Sequence, residues 1–156
     1  MEPLLFFGQY PVELDKKSRM VIPAPLRHCM NAERDGNDFF LLVGQNRRPW
    51  LYPDLVYKNL RSQEKLESIP GMEQSDYDLM ALAMAAKVEV DGQGRILIPN
   101  HTFEWTGIAK EQPLTLLGVR DHLEIWGRDD WDRKRKTLLE QSAEVAQRAR
   151  QARQDH

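Results

Sequence analysis

The sequence predicts an α+β fold in which two tandem β-β-α-β-β-α repeats form one pseudo-symmetric body. The segment ELDKKSRMVIP at residues 13–23 returns 76 residues later as EVDGQGRILIP at residues 89–99. Each copy precedes a short helical segment, two apolar strands and a longer helix with an aromatic residue near its start. A chain of 156 residues that is 41% hydrophobic can bury one core shared by both repeats.

The elements of the first repeat follow from polarity and from proline. Residues 10–14 alternate in polarity, residues 15–18 are turn-like and residues 20–22 are apolar, which predicts a hairpin over 10–22. Pro23 ends that hairpin and is compatible with the first turn of a helix over 24–30. Two strands and one helix complete the repeat, at residues 39–43, 50–52 and 53–68.

The second repeat follows the same order. Its predicted elements are a hairpin over 88–98, a helix over 100–105, strands at 114–117 and 123–126, and a helix over 129–150. Residues 69–75 contain Pro70 and Gly71, which predicts a linker. Residues 76–86 are rich in apolar helix formers, which predicts a connecting helix. The expected organisation is a first repeat at 5–68, a linker and connecting helix at 69–86, and a second repeat with its C-terminal helix at 87–150.

Composition narrows the classes of function. A net charge of −2 argues against coating of nucleic acid through bulk charge, so any such binding requires a local basic patch. The single cysteine fits a reducing compartment, and no apolar run approaches a membrane span, so we expect a cytoplasmic protein without membrane contact. No cofactor, metal site or catalytic nucleophile with its base is indicated, so we expect no enzyme. His28, His101 and His122 lack ligand spacing and are expected on the surface or in loops.

Both repeats preserve an aspartate and an arginine four residues apart. Asp15 can accept hydrogen bonds from its own turn, whereas Arg19 carries a guanidinium suited to phosphate or a guanine edge. Lys16 and Lys17 lie between them, so the first turn forms a basic tip. In the second repeat the corresponding residues are Asp91, Gly92, Gly94 and Arg95, which make a tighter and less charged turn. The first tip is therefore the stronger candidate for nucleic-acid contact.

The Asp-Arg spacing, the basic run at residues 133–136 and Cys29 each have a purely structural interpretation as well. Aspartate and arginine at this spacing also form a surface ion pair of purely structural value. The basic run at residues 133–136 has acidic neighbours and reads as a solvated helix face more than as a nucleic-acid site. Cys29 has no base placed near it by sequence and is expected to be a small buried residue.

The pattern Asp15-x-x-x-Arg19-x-x-Ile22-Pro23 resembles the SpoVT-AbrB DNA-binding element. Two such elements in about 150 residues, together with Phe6-x-Gly8-x-Tyr10, Leu51-Tyr52-Pro53 and Glu124-Ile125-Trp126, resemble the MraZ family over residues 5–135. The resemblance implies intertwined swapped-hairpin units and a ring-shaped homo-oligomer, octameric or larger. It also implies a nucleoid-associated transcriptional regulator, acting as a repressor on direct repeats of double-stranded DNA upstream of the division and cell-wall gene cluster.

Departures from the family pattern define an alternative. Ser18 stands where the family usually has glycine. If the backbone at this position is left-handed, serine destabilises the fold by about 1 to 2 kcal/mol relative to glycine, and the first tip could then bend differently from the second. Phe7 replaces a common arginine, and Arg27, aligned with Phe103, is a candidate to compensate. The alternative function is a ring-forming interaction protein with weak or lost DNA binding. The expected DNA-contacting set is Arg19, Lys16, Lys17, Ser18, Arg95 and Arg27, and the expected loop-structuring set is Asp15, Asp91, Gly92 and Gly94.

Overall fold

The computed structural model describes residues 2–64 and 71–155. Its strands are β1 Gln9–Val12, β2 Arg19–Val21, β3 Phe39–Val43, β4 Pro49–Pro53, β5 Ala86–Val88, β6 Arg95–Leu97, β7 Leu114–Val119 and β8 His122–Gly127. Its helices are α1 Ala24–Arg27, α2 Ala32–Asp35, α3 Asp54–Ser62, α4 Met72–Asp78, α5 Asn100–Trp105, α6 Arg128–Glu140 and α7 Ser142–Gln154. Six strands form an antiparallel sheet in the order β1-β7-β8-β4-β3-β5, and β2 and β6 form a separate antiparallel ribbon.

The two halves of the chain exchange their first strands. β1 pairs with β7, with Val12 opposite Leu114, and β5 pairs with β3, with Val88 opposite Phe39. Each half therefore extends the β-hairpin of the other half, and β4 pairs with β8 where the two hairpins meet. The predicted α+β body with two pseudo-symmetric, strand-swapped repeats is confirmed.

The hairpin predicted over residues 10–22 is wrong as a local pairing. Only a single bridge, between Leu14 and Met20, joins its two arms, because β1 pairs with β7 and β2 pairs with β6. Alternating polarity shows that a segment is extended but not which strand lies beside it. Strand partners are decided by the apolar faces that meet in the folded chain.

The β2–β6 ribbon has one buried face and one outward face. Met20 and Ile96 lie opposite each other and are almost fully buried. Because side chains alternate along a strand, the neighbouring residues on both strands point away from the core. These outward residues are Arg19, Val21, Arg95 and Leu97. The ribbon thus anchors to the core through its centre and presents its two ends to the surroundings.

The core contains residues from both halves of the chain. Its largest fully buried side chains are apolar and come mainly from the ribbon, the central sheet and the short helices: Phe6, Met20, Ile22, Leu26, Phe39, Leu41, Leu51, Ile96, Ile98, Leu114, Leu116 and Leu123. Truncating one such side chain to alanine typically costs about 2 to 5 kcal/mol. Because the buried set is shared, neither half encloses a separate core.

Several helices differ from the predicted ranges. The helix predicted at 53–68 is α3, Asp54–Ser62, and residues 65–68 lie outside the described part of the chain. The connecting helix begins early, at Met72, within the segment predicted as a linker, and ends in a π-helical turn at Leu79–Ala83. The residue before this helix, Gly71, has an extended backbone.

Two further differences have local causes. The helix predicted over 129–150 is divided into α6 and α7 at Gln141, whose φ of −110° and ψ of 23° depart from helical values. Helix α2 is too short to show periodicity and is not predicted from the sequence. It is held by the Asn31 side chain, which accepts a hydrogen bond from the Arg34 backbone N–H at 3.0 Å. Among the described helices, none has the length and apolar character needed to cross a membrane.

His122 is not the surface or loop residue that the sequence predicts. It is buried at the start of β8, where its ring stacks on Trp50 at 4.1 Å and lies 5.1 Å from the ring of Tyr52. Its Nδ1 lies 2.9 Å from a carboxylate oxygen of Asp121, and its Nε2 lies 2.8 Å from one of Glu124. Two carboxylate acceptors are best satisfied when both ring nitrogens carry protons.

The same contacts explain the titration of His122. Burial lowers its pKa, but the hydrogen bonds to Glu124 and Asp121 outweigh burial, so the pKa lies above its ordinary value of 6.5. On the pseudo-symmetric side of the β4–β8 pair, the Arg48 guanidinium lies 3.5 Å from the centre of the Trp126 ring. Trp126 of β8 therefore faces the guanidinium of the residue before β4, and Tyr52 of β4 faces the imidazole of His122 in β8.

We expect the free energy of unfolding to fall as pH rises above about 6.5. The raised folded-state pKa means that the His122 contribution is complete below the unfolded-state pKa and is lost as pH rises through the folded-state pKa. His122→Asn should remove this slope in urea titrations at several pH values. Arg48→Gln is the matched control, because a guanidinium does not titrate in this range, and it should keep the slope. An unchanged slope in His122→Asn would contradict the assignment.

Candidate nucleic-acid interface

The first tip, residues 15–19, is organised by one carboxylate. Asp15 Oδ1 accepts hydrogen bonds from the backbone N–H groups of Lys17 and Arg19, both at 2.9 Å. Its other oxygen, Oδ2, accepts from Nε of Arg19 at 2.7 Å. Backbone hydrogen bonds from Ser18 N–H to Asp15 and from Asp15 N–H to Arg19, each 3.0 Å, close the turn. One side chain thus fixes both the loop backbone and the direction of the arginine.

The second tip, residues 91–95, repeats this geometry. Asp91 Oδ1 accepts from the backbone N–H groups of Gln93 and Arg95 at 2.9 Å, and Oδ2 accepts from Arg95 Nε at 2.8 Å. Glycine at positions 92 and 94 therefore leaves the hydrogen-bond pattern unchanged. The repeated Asp-x-x-x-Arg spacing encodes one turn structure in two places.

These hydrogen bonds also set the ionisation of the two carboxylates. The pKa of Asp15 is lowered first by the hydrogen bond from the Arg19 backbone N–H, and further by the Arg19 side chain and the Lys17 N–H. The pKa of Asp91 is lowered by the equivalent groups of Arg95 and Gln93. Both aspartates are therefore anionic acceptors at neutral pH, and each is engaged by its own turn.

Backbone hydrogen bonds join each tip to the end of the other repeat's ribbon strand. The Ile22 N–H donates to the Gly94 carbonyl at 2.8 Å, and the Ile98 N–H donates to the Ser18 carbonyl at 2.9 Å. Each bond runs from the residue after one ribbon strand to the residue before the other strand. This reciprocal pair of bonds fixes one tip at each end of the ribbon.

Ser18 occupies a left-handed backbone position. Its φ is 61°, close to the 77° of the equivalent Gly94, and it is buried. The sequence left open a different bend at the first tip, but the matching φ angles and hydrogen bonds show the same bend in both tips. A serine in this conformation is strained relative to glycine.

The two arginines of the tips lie on the outward face of the ribbon. Arg19 is paired opposite Leu97, and Arg95 is paired opposite Val21. Each aspartate engages Nε of its arginine, and no contact within the described residues occupies the two terminal guanidinium nitrogens of Arg19 or Arg95. Lys16 and Lys17 are exposed beside the first tip.

Arg27 belongs to the second tip in space, although it follows the first tip in sequence. Its Nε donates to the Ile22 carbonyl at 2.9 Å. Its guanidinium covers Gly94, where an added Cβ would lie 2.8 Å from Arg27 Cζ. The charge difference between the tips is therefore smaller than the sequence predicts. Local sequence carries no signal for the contact between Arg27 and Gly94, because this contact forms only when the two halves of the chain fold against each other.

Other candidates from the sequence are engaged elsewhere. Arg133 pairs with Asp130, and Arg135 pairs with Asp132 at 3.1 Å, so the basic run of α6 is bound partly within its own helix. Cys29 is only partly buried, and its Sγ donates to the Pro25 carbonyl at 3.3 Å. Within residues 2–64 and 71–155, no three His, Cys, Asp or Glu side chains are grouped as metal ligands.

Exchanging the residues at the two left-handed positions should have unequal effects. Ser18→Gly should change the free energy of unfolding by less than about 1 kcal/mol, because relief of strain is offset by a more flexible unfolded chain. Gly94→Ser should cost about 2 kcal/mol, because the left-handed strain is added and the new side chain displaces Arg27. Urea denaturation measures both variants, and equal losses would contradict this account of the tips.

Comparison with known proteins agrees with the repeated architecture. The family model of the MraZ protein matches residues 5–76 and 81–154. A protein of Caldanaerobacter subterraneus named transcriptional regulator MraZ is 33% identical over 145 residues, covering 92% of this chain and 95% of the relative. Its namesake in Acetivibrio thermocellus is 34% identical over 133 residues, covering 82% and 85% of the two chains. With both halves matched and most of each relative covered, the chain belongs to the MraZ family.

Proposed function

We propose that this chain is a sequence-specific DNA-binding regulator of transcription, which presents the outward face of the β2–β6 ribbon to the major groove. The observation that carries the proposal is the placement of Arg19 and Arg95 on one face of a two-stranded ribbon that has one tip at each end. The major groove of B-DNA admits a two-stranded ribbon, and its base edges carry the distinguishing hydrogen-bond pattern.

The tips prepare each arginine for bidentate binding. Asp15 and Asp91 each bind their arginine through Nε only. The two terminal nitrogens of each guanidinium can therefore donate together to guanine O6 and N7 or to phosphate oxygens. Holding a long side chain in one direction before binding reduces the conformational entropy that binding would otherwise cost. In this proposal the aspartates position the arginines and remain away from the phosphates.

Local charge supports the same role despite the net charge of −2. The carboxylates of both tips are engaged by internal hydrogen bonds, whereas Lys16 and Lys17 are exposed beside Arg19. Arg27 adds a second cation at the other tip. Phosphate contacts of this kind supply affinity that falls as salt concentration rises.

The names of the relatives and the family resemblance extend the proposal. The relatives from Caldanaerobacter subterraneus and Acetivibrio thermocellus are named as transcriptional regulators. We propose a repressor that acts in the cytoplasm, associated with the nucleoid, on direct repeats upstream of the division and cell-wall gene cluster. The alternative, a ring-forming interaction protein with weak or lost DNA binding, predicts little or no binding to that DNA.

We also propose that the chain acts as a ring-shaped homo-oligomer. The connecting segment of α4 and the π-helical turn carries a cluster of exposed apolar side chains: Met72, Tyr77, Leu79, Met80 and Leu82. Such clusters on a protein surface are typical of interfaces between chains. Several tips joined in one assembly would convert later contacts with repeated DNA sites into intramolecular ones and raise avidity.

Removing either tip arginine should weaken specific binding. Arg19→Ala and Arg95→Ala should each lower affinity for the DNA upstream of the chain's own gene by about 5- to 150-fold, because each bidentate contact is worth about 1 to 3 kcal/mol. We expect the larger loss for Arg19, which has two lysines beside it. Electrophoretic shifts against a scrambled duplex of equal length measure the effect.

The controls separate folding, charge and specificity. Arg153→Ala on α7 should bind as the wild type does, because Arg153 is exposed and its Nε is bonded to the Ala149 carbonyl of its own helix. Lys16→Ala combined with Lys17→Ala should reduce the salt dependence by about two phosphate contacts and leave sequence preference intact. Folded Arg19→Ala and Arg95→Ala proteins that bind like the wild type would refute the interface. No shift by the wild type at low salt would favour the alternative function.

A charge in the exposed apolar cluster should disrupt assembly. Leu79 is 57% exposed beside other apolar side chains, so Leu79→Glu should lower the mass measured by light scattering without unfolding the chain. Leu139→Glu is the matched control, because Leu139 is 71% exposed but lies among charged residues of α6. A wild type that is monomeric, or equal masses for wild type and Leu79→Glu, would contradict the proposed assembly surface.

A further inference from the structure

Two exposed apolar side chains lie beside the arginines on the outward face of the ribbon. Val21 is 49% exposed and Leu97 is 59% exposed, and both lie on the same outward face as Arg19 and Arg95. Neither side chain belongs to the core, whose ribbon residues are Met20 and Ile96 on the opposite face. The outward face of the ribbon therefore combines two cations with two apolar groups.

The arrangement of these four residues is regular. Arg19 lies directly opposite Leu97, and Val21 lies directly opposite Arg95. Directly opposed side chains in an antiparallel pair have Cβ atoms about 4.5 to 5.5 Å apart, so each arginine has one apolar neighbour across the ribbon. Because the pairing centres on Met20 and Ile96, an approximate two-fold axis relates the two Arg-apolar pairs.

Strand preference alone does not account for these residues. Valine suits a strand, but leucine is not among the residues that strands particularly favour, and an outward position tolerates polar residues such as threonine. Single exposed apolar residues are common on protein surfaces. Here both repeats place an apolar residue at the equivalent position, two residues after the tip arginine, on a face with local positive charge.

We infer that Val21 and Leu97 contact the C5-methyl groups of thymines beside the bases that Arg19 and Arg95 contact. This inference rests on the proposed function and adds the residues that select thymine. Thymine is the base whose major-groove edge carries a methyl group, and apolar side chains recognise it by direct contact. The cations beside the apolar pair favour the polyanionic duplex as the occupant of this face over an apolar protein partner.

The chemistry predicts a composite recognition pattern. Each arginine donates to guanine O6 and N7, and the apolar neighbour across the ribbon packs on a thymine methyl group. The approximate two-fold axis predicts that this guanine and thymine combination occurs twice, in opposite orientations, within the footprint of one ribbon. Contacts through methyl groups add sequence preference without adding salt dependence, because they neutralise no phosphate.

Replacing thymine by deoxyuridine tests the inference, because it removes the methyl groups and keeps the base pairing. The probe is the duplex from the region directly upstream of the chain's own gene, prepared with thymine or with deoxyuridine throughout. The wild type should bind the uracil duplex about fourfold more weakly for each thymine methyl group that the ribbon would otherwise bury. The double variant Val21→Ser, Leu97→Ser should be folded, because both positions are exposed, and should bind both duplexes with equal affinity, because serine has no methyl group to offer.

The other arms distinguish this inference from the proposed function. Lys16→Ala combined with Lys17→Ala should weaken binding to both duplexes equally and keep the preference for thymine. Equal affinity of the wild type for the two duplexes, or a double variant that keeps the full thymine preference, would overturn the methyl contacts while leaving DNA binding in place. No binding of the wild type to either duplex would overturn the proposed function and the inference together.

Discussion

The pairing of β2 with β6 is the interaction on which the rest of this structure depends. Its central residues, Met20 and Ile96, are buried together, and reciprocal hydrogen bonds between the two repeats close both of its ends. Once the ribbon is formed, the chain before each ribbon strand must lie on the sheet of the other half. Strand exchange, a shared core and one tip at each end of the ribbon are therefore consequences of one pairing.

This constraint resolves how a chain with net negative charge can present a cationic surface. Each tip uses its aspartate to bind backbone N–H groups and only the Nε nitrogen of the arginine. The structural and functional interpretations of the Asp-Arg spacing are thus compatible, because the ion pair that holds the turn also orients the arginine.

The two halves share the same backbone geometry but differ in the side chains that occupy equivalent positions. Across the β4–β8 pair, Arg48 faces Trp126, whereas the equivalent contact uses the titratable His122 against Tyr52. At the tips, glycine and serine occupy the same left-handed position. Backbone geometry is shared because both halves must fit the same ribbon and sheet, whereas side chains outside those contacts are free to differ.

The sequence by itself determined the two repeats, most strand positions and the Asp-Arg turns, because these depend on local spacing, polarity and hydrogen bonds within five residues. It could not determine strand partners, the burial of His122 or the position of Arg27 over Gly94, since those contacts join residues that are far apart along the chain. It also could not place Arg19 and Arg95 on one face, although it identified both. Only the tertiary structure decided that arrangement, because the face a strand presents is set by the partner against which its other face is buried.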